Sequence, residues 1–235
     1  MTSHPAPDNP RWQLAERVTD AVRRRFSAQV LAIGVHGSLA HGDDGEDSQV
    51  DLVVVTYEPG EGPRPATRRV EGVIVDLGVI GADEYLGHAR TLSTGWPLAA
   101  DQYLTTAATF DPDGWYELLR DTHLARLAEA GAGKFTALAR EAWYGAFSAA
   151  ARARQLAVWH DTDTALVALS DARVAAAVVD GLLSRTYFRD GPDAVRRTGL
   201  AGAPMGELDE RLAGQAAELA RRGRPVDGEI ADLFT

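Results

Sequence analysis

The chain contains no cysteine. Disulfides, thiolate nucleophiles and cysteine-ligated zinc are therefore excluded. Cations are also scarce, with 24 Lys and Arg set against 34 Asp and Glu, a formal charge of −10. Such a surface repels polyanions, so no nucleic-acid partner is expected. Long hydrophobic runs are missing as well. The most apolar late stretch, residues 174–183, is interrupted by Asp180 and is too short to cross a bilayer. Residues 1–9 are polar and carry two prolines, with no apolar signal core. These absences point to a cytoplasmic protein with neither membrane nor nucleic acid as partner. No internal repeat or low-complexity tract is present.

What is present is an ordinary globular composition, 45% hydrophobic and 25% charged, over 235 residues. That length supports one large domain or two small ones with real cores. Pro10 after Asn9 marks a helix start, and Leu14, Val18, Val22 and Phe26 recur every four residues along one stripe. Residues 30–35 and 50–57 read as strands, the second apolar enough for a sheet centre. Residues 58–65, with three prolines and two glycines, read as a loop. Residues 73–79 form the next strand, with Ile74 and Asp76 on one face and Val73, Val75 and Leu77 on the other. A further strand is expected near 102–110. Long helices are expected over 134–160, anchored by Phe135, Leu138, Trp143, Phe147 and Trp159, then over 164–188 and 206–222. The expected fold class is α+β, an α/β domain over 1–120 followed by a helical bundle over 121–235.

The chemistry-bearing stretch is Gly34-Val35-His36-Gly37-Ser38-Leu39-Ala40-His41-Gly42, followed by Ser48-Gln49-Val50-Asp51. Gly at a strand end lets the backbone approach a ligand, because it has no Cβ. The Ser38 hydroxyl and the amides after it suit an anion. Gln49 and Asp51 are two apart on a strand and point the same way, and Asp76 on the next strand joins them from the side. Carboxylates in that arrangement hold divalent ions that bridge phosphates.

Residues 31–55 resemble the aminoglycoside (kanamycin-type) nucleotidyltransferases, whose matching stretch reads Gly-Val-Tyr-Gly-Ser-Leu and then Ser-Asp-Ile-Glu. The similarity continues in Trp96-Pro97-Leu98, Gln102-Tyr103-Leu104 and Phe110-Asp111 with Gly114 beyond. It implies a polymerase-β-like N-terminal domain, a C-terminal helical bundle, and a homodimer with active sites between subunits. The activity it implies is transfer of AMP from Mg-ATP to an antibiotic hydroxyl.

The family's functional residues carry over incompletely. Its first metal carboxylate falls on Gln49, its second on Asp51 and its third acidic position on Asp76. The Arg after its Gly-Ser turn falls on His41, and a basic residue two before Asp76 is replaced by Ile74. Its general base falls on Gly145, with Glu141 one turn earlier, and a following Lys falls on Ala149. A neutral amide oxygen does not supply the charge that bridges two cations. A positioned base contributes about 10²–10⁴-fold, and stabilisation of the transferring group adds several kcal/mol more. Their joint loss predicts little adenylyl transfer.

The expected site is a small-molecule pocket. Asp51, Asp76, Glu141, Tyr144 and His41 are its candidate catalytic groups. Gly37, Ser38, His36, Gln49, Trp96, Asp101, Tyr103 and Arg173 are its candidate substrate-binding groups. Arg173 and Asp180 share a helix face, which reads either as an internal ion pair or dimer contact, or as a substrate clamp by Arg173. Three functions stay open. The favoured one is a repurposed biosynthetic enzyme that needs neither metal nor nucleotide and performs acid–base cyclisation, isomerisation or dehydration. The second is an Mg²⁺- and ATP-dependent nucleotidyltransferase ligating metal through Asp51 and Asp76. The third is a small-molecule binding protein.

Overall fold

The structure, a computed structural model, describes residues 9–159 and 161–234. The chain divides into two compact units. The first holds the described residues through Thr91 together with Asp101–Ala128, and the second holds Leu92–Ala100 and the described residues from Glu129 onward.

The first unit opens with helix α1 (Pro10–Phe26). Asn9 caps it, its side-chain oxygen accepting from the amides of Arg11 and Trp12, with Pro10 at the first helical position. Strand β1 (Val30–His36), the single turn α2 (Ser38–His41), and strands β2 (Val50–Thr56), β3 (Ala66–Val70) and β4 (Val73–Gly81) follow. Then come α3 (Ala82–Arg90), α4 (Trp96–Ala99), α5 (Asp101–Thr105), β5 (Ala107–Phe110) and α6 (Trp115–Glu129). The expected strand near 102–110 is thus split: its first half is helical, and only Ala107–Phe110 pairs with β1.

The five strands form one sheet in the order β3-β4-β2-β1-β5. Only β2 and β4 run parallel; the other neighbours are antiparallel. Strand β3 joins β4 through a two-residue hairpin, Glu71-Gly72, in which both residues have positive φ (51° and 88°). That turn twists with the strands it connects. Sequence periodicity missed β3, because its Thr67, Arg68 and Arg69 are exposed on an edge strand with no apolar alternation.

Alternation along the central strands gives the sheet two different faces. Leu14, Ala15 and Val22 of α1 pack on Ile33, Val35, Val50, Leu52, Val54 and Val75. The opposite face carries Gly34, Val53 and Asp51. At Gly34 a Cβ would lie 2.5 Å from Thr106 and 2.8 Å from the Tyr116 ring, so the missing side chain makes room for those two. The Tyr116 hydroxyl donates to the Val53 carbonyl, and its ring meets Trp115, which stacks on Tyr85.

The second unit contains α4 and four further helices: α7 (Ala132–Val158), α8 (Thr162–Ser184), α9 (Gly191–Arg197) and α10 (Met205–Arg221). A 3-10 turn, Ile230–Phe234, follows. Helices α7 and α8 form a hairpin whose seam is built of alanine. Ala146, Ala150 and Ala153 are buried on one helix and Ala168, Ala172 and Ala176 on the other. Small residues at facing positions let two helices approach closely. The Trp143 indole donates to the Leu212 carbonyl and ties α10 to the hairpin. Phe135, Leu138 and Trp143 are buried as expected, but Phe147 and Trp159 are exposed (46% and 65%), which corrects their reading as core anchors. Arg173 and Asp180 do not form the internal pair the spacing suggested. Arg173 donates to the Ala203 carbonyl, while Asp180 accepts from Arg211 and Gln215. Among the described residues, no helix is long and apolar enough to cross a membrane.

Candidate active site

Register across the sheet assembles a polar row. His36 on β1 stands opposite Asp51 on β2, Asp51 beside Asp76 on β4, and Asp76 opposite Thr67 on β3. All four side chains are on the face opposite α1, and neighbouring strands lie only about 4.8 Å apart. The Thr67 hydroxyl donates to Asp76. Two steps along β4 and β3, Ile74 and Arg69 stand opposite each other on the same face, and Gln49 immediately precedes β2. Thr67 and Arg69 were not foreseen from sequence, because no local signal gives the register of an edge strand.

The loop before Gln49 is anchored from α1. Asn9 donates to the Asp44 carboxylate, and Arg11 donates to the carbonyls of Ser48 and Glu46. These bonds hold Gln49 next to Asp51, whose carboxylate accepts from the Gln49 amide. Burial pushes the Asp51 carboxyl above the usual carboxylate range. His36 and the Gln49 amide pull it down, and the Asp76 charge raises it further. Gly37 closes over this group with φ 72° and ψ −154°. A Cβ there would sit 3.0 Å from Asp51 Oδ2, so glycine is required both for the backbone conformation and for the space.

After the turn, α2 presents His41 to Asp101. The His41 Nε2 lies 3.1 and 3.0 Å from the two carboxylate oxygens of Asp101, which is 5% exposed. A carboxylate only accepts at that spacing, so Nε2 is the nitrogen that donates and Nδ1 is the one left uncommitted by Asp101. Asp101 is therefore the positioning partner of His41. Tyr103, two residues on, is buried against Tyr85 and the ring of His123.

The first unit thus contains His36, Gly37, Ser38, His41, Gln49, Asp51, Asp76, Asp101 and Tyr103. The other four candidates belong to the second unit. Trp96 is buried edge-on to Phe135. Arg173 is engaged by a backbone carbonyl. Glu141 is exposed on α7, and Tyr144 on the same helix donates to the Val226 carbonyl. Asp111, which the resemblance singled out, caps α6 by accepting from the amides of Trp115 and Tyr116.

A nucleotidyltransferase fold implies a pair of divalent cations, and the donor set here does not fit one. The row offers two carboxylates, one already accepting from an amide and the other from a hydroxyl. The third position supplies a neutral Gln49, with no charge to bridge two ions. Among the described residues, no group of three His, Asp or Glu side chains is arranged to hold a metal ion.

Residues 15–95 match the model of the nucleotidyltransferase domain. The matched region runs from within α1 to the residue before α4 and includes β1 to β4, and so the whole polar row. The chain is also similar to a nucleotidyltransferase-like protein from Exiguobacterium sibiricum 255-15, with TM-score 0.45 and 13% identity over 88% of this chain and 75% of that one. No curated protein matches the chain. The architecture is a nucleotidyltransferase-like α+β domain with a helical C-terminal region.

Proposed function

We propose that this chain is a cytoplasmic biosynthetic enzyme acting on a small molecule by acid–base chemistry on a nucleotidyltransferase-like scaffold, with no nucleotide and no paired metal ions. The observation that carries this reading is Gln49: a neutral amide at the edge of the acid row, donating into Asp51. Burial and the charge of Asp76 push the Asp51 carboxyl up and suit it to holding and releasing a proton, while the neutral Gln49 beside it supplies no charge to bridge two cations. Nδ1 of His41, with Asp101 fixing the other ring nitrogen, supplies a second proton site. One group that gives a proton and one that takes it satisfy cyclisation, isomerisation or dehydration, none of which changes the oxidation state of the whole substrate. Ile74, 41% exposed between Gln49 and Arg69, offers an apolar contact for the substrate body. The narrower likeness to aminoglycoside nucleotidyltransferases supports descent from an enzyme that bound a polyhydroxylated small molecule.

The alternative is adenylyl transfer from Mg-ATP, favoured by the match of residues 15–95 and by the Asp51–Asp76 pair. Isothermal calorimetry with Mg-ATP separates the two. The native chain is expected to give no saturable heat, and Gln49→Asp is expected to acquire binding. Saturable binding by the native chain that Asp51→Ala abolishes would overturn the proposal.

A further inference from the structure

We infer that Ser38 is a nucleophile, activated by His41 and Asp101, and that the chain hydrolyses a small carboxylic ester through an acyl-serine intermediate. This activity is covalent, so it goes beyond the proton transfers argued above, and it needs neither Gln49 nor Asp51.

The turn after β1 presents Ser38 for such a role. The strand ends at His36, Gly37 turns the chain with φ 72°, and Ser38 opens α2. A sharp strand-to-helix turn holds a serine hydroxyl clear of the sheet. The Ser38 hydroxyl has no hydrogen-bond partner among the described residues and is not buried. Nor does it cap the turn, since Gly37 occupies that position. His41 follows three residues later, its amide donating to the Gly37 carbonyl at 3.2 Å. Side chains so spaced lie about 5–6 Å apart at Cβ, and a helical side chain leans back over the preceding turn. Asp101 holds the His41 Nε2 at 3.0 Å. The other ring nitrogen, Nδ1, has no partner among the described residues and is not buried either. Nucleophile, base and the carboxylate that orients the base all belong to the first unit, with both reactive atoms open to a substrate. The bond from Ser38 to Nδ1 is not made in the structure, and such bonds commonly tighten only around a seated substrate.

The chemistry balances without a further reagent. Ser38 Oγ bonds the ester carbonyl carbon, and its proton passes to Nδ1. The carbon–oxygen bond to the alcohol breaks, and the alcohol leaves with that proton. Water then gives a proton to Nδ1 and its oxygen to the acyl carbon. The bond to Oγ breaks, Oγ recovers the proton, and the acid departs. Asp101 stays ionised throughout and steadies the charged imidazole.

A fluorophosphonate, which bonds activated serines with loss of fluoride, tests the assignment on the full chain. Peptide mass spectrometry is expected to find the label on Ser38, and His41→Gln is expected to slow labelling about 10²-fold or more. A second variant repeats the test with different chemistry. The chain has no cysteine, so Ser38→Cys carries a single thiol. Iodoacetamide at neutral pH is expected to alkylate that thiol at least about tenfold faster than in the Ser38→Cys, His41→Gln double variant. Circular dichroism checks that each variant stays folded. Failure of the fluorophosphonate to mark Ser38 would overturn the proposal. So would labelling of Ser38 at the native rate without His41, or a thiol whose reactivity ignores His41. Calorimetry with Mg-ATP depends on none of these results, so the two readings fail separately.

Discussion

Asp51 is the residue on which the candidate chemistry turns. Its folded-state acidity is weakened first by burial, and the neighbouring Asp76 adds to that, while His36 and Gln49 oppose it. A carboxyl whose folded pKa lies above its unfolded value binds more protons when folded. Stability therefore falls as pH rises from the unfolded value near 3.8 through the folded one, and stays lower above it. Asp51→Asn removes this penalty without changing shape. The variant is expected to melt above the native chain at pH 7, and the gain is expected to shrink as pH drops toward 3.8. Thermal unfolding of both chains across that range is the measurement, and a gain that grows on acidification would contradict the assignment. A site that costs stability in its working protonation state is a common sign of function.

Among the elements, α8 is closely fitted to its neighbours at Gly181. At Gly181 a Cβ would come within 2.7 Å of the Phe188 ring, 2.8 Å of the Thr186 carbonyl and 2.9 Å of Pro97. The Phe188 amide donates to the Pro97 carbonyl at 2.7 Å, so the backbone beside the helix is itself fixed. Gly181→Ala gains about 1 kcal/mol in helix propensity and loses more to overpacking, typically about 1–3 kcal/mol. A net destabilisation of about 1–2 kcal/mol is expected from chemical denaturation. Gly214→Ala on α10 is the control, since nothing lies within 4 Å of its Cβ position. That variant is expected to match or exceed the native stability by up to about 1 kcal/mol. Strand β3, by contrast, is short and charged. It ends the sheet, and Arg68 and Arg69 discourage another strand from adding to its edge.

At the scale of the molecule, 34 acidic residues against 24 basic ones set the long-range field. Most arginines are already committed. Glu218, for example, is held down to about 2 by Arg221 and Arg222, and Arg154 pairs with Asp209. The chain is therefore expected to pass through a heparin column unretained at low salt, with no salt-dependent affinity for oligonucleotides. Retention at about 50 mM salt would reveal a basic stripe that the sequence count conceals.

Local pattern determined much of this protein. The Asn9-Pro10 start of α1, the apolar run of β2, the Gly37-Ser38 turn and the long helices are legible because burial of one face imprints a period on neighbouring residues. The amide at position 49 is likewise a fact of sequence, and with it the loss of a bridging charge. Tertiary structure decided the rest. Asp101 reaches His41 across 60 residues, Thr67 reaches Asp76 through the register of an edge strand, and Arg173 and Asp180 each take a partner from a different segment. Phe147 and Trp159 carry the hydrophobicity of core residues yet stand in solvent. Periodicity records that a face is apolar. Which segment covers that face, and which polar group meets which across it, depends on strand register and helix packing between parts of the chain that local sequence does not connect.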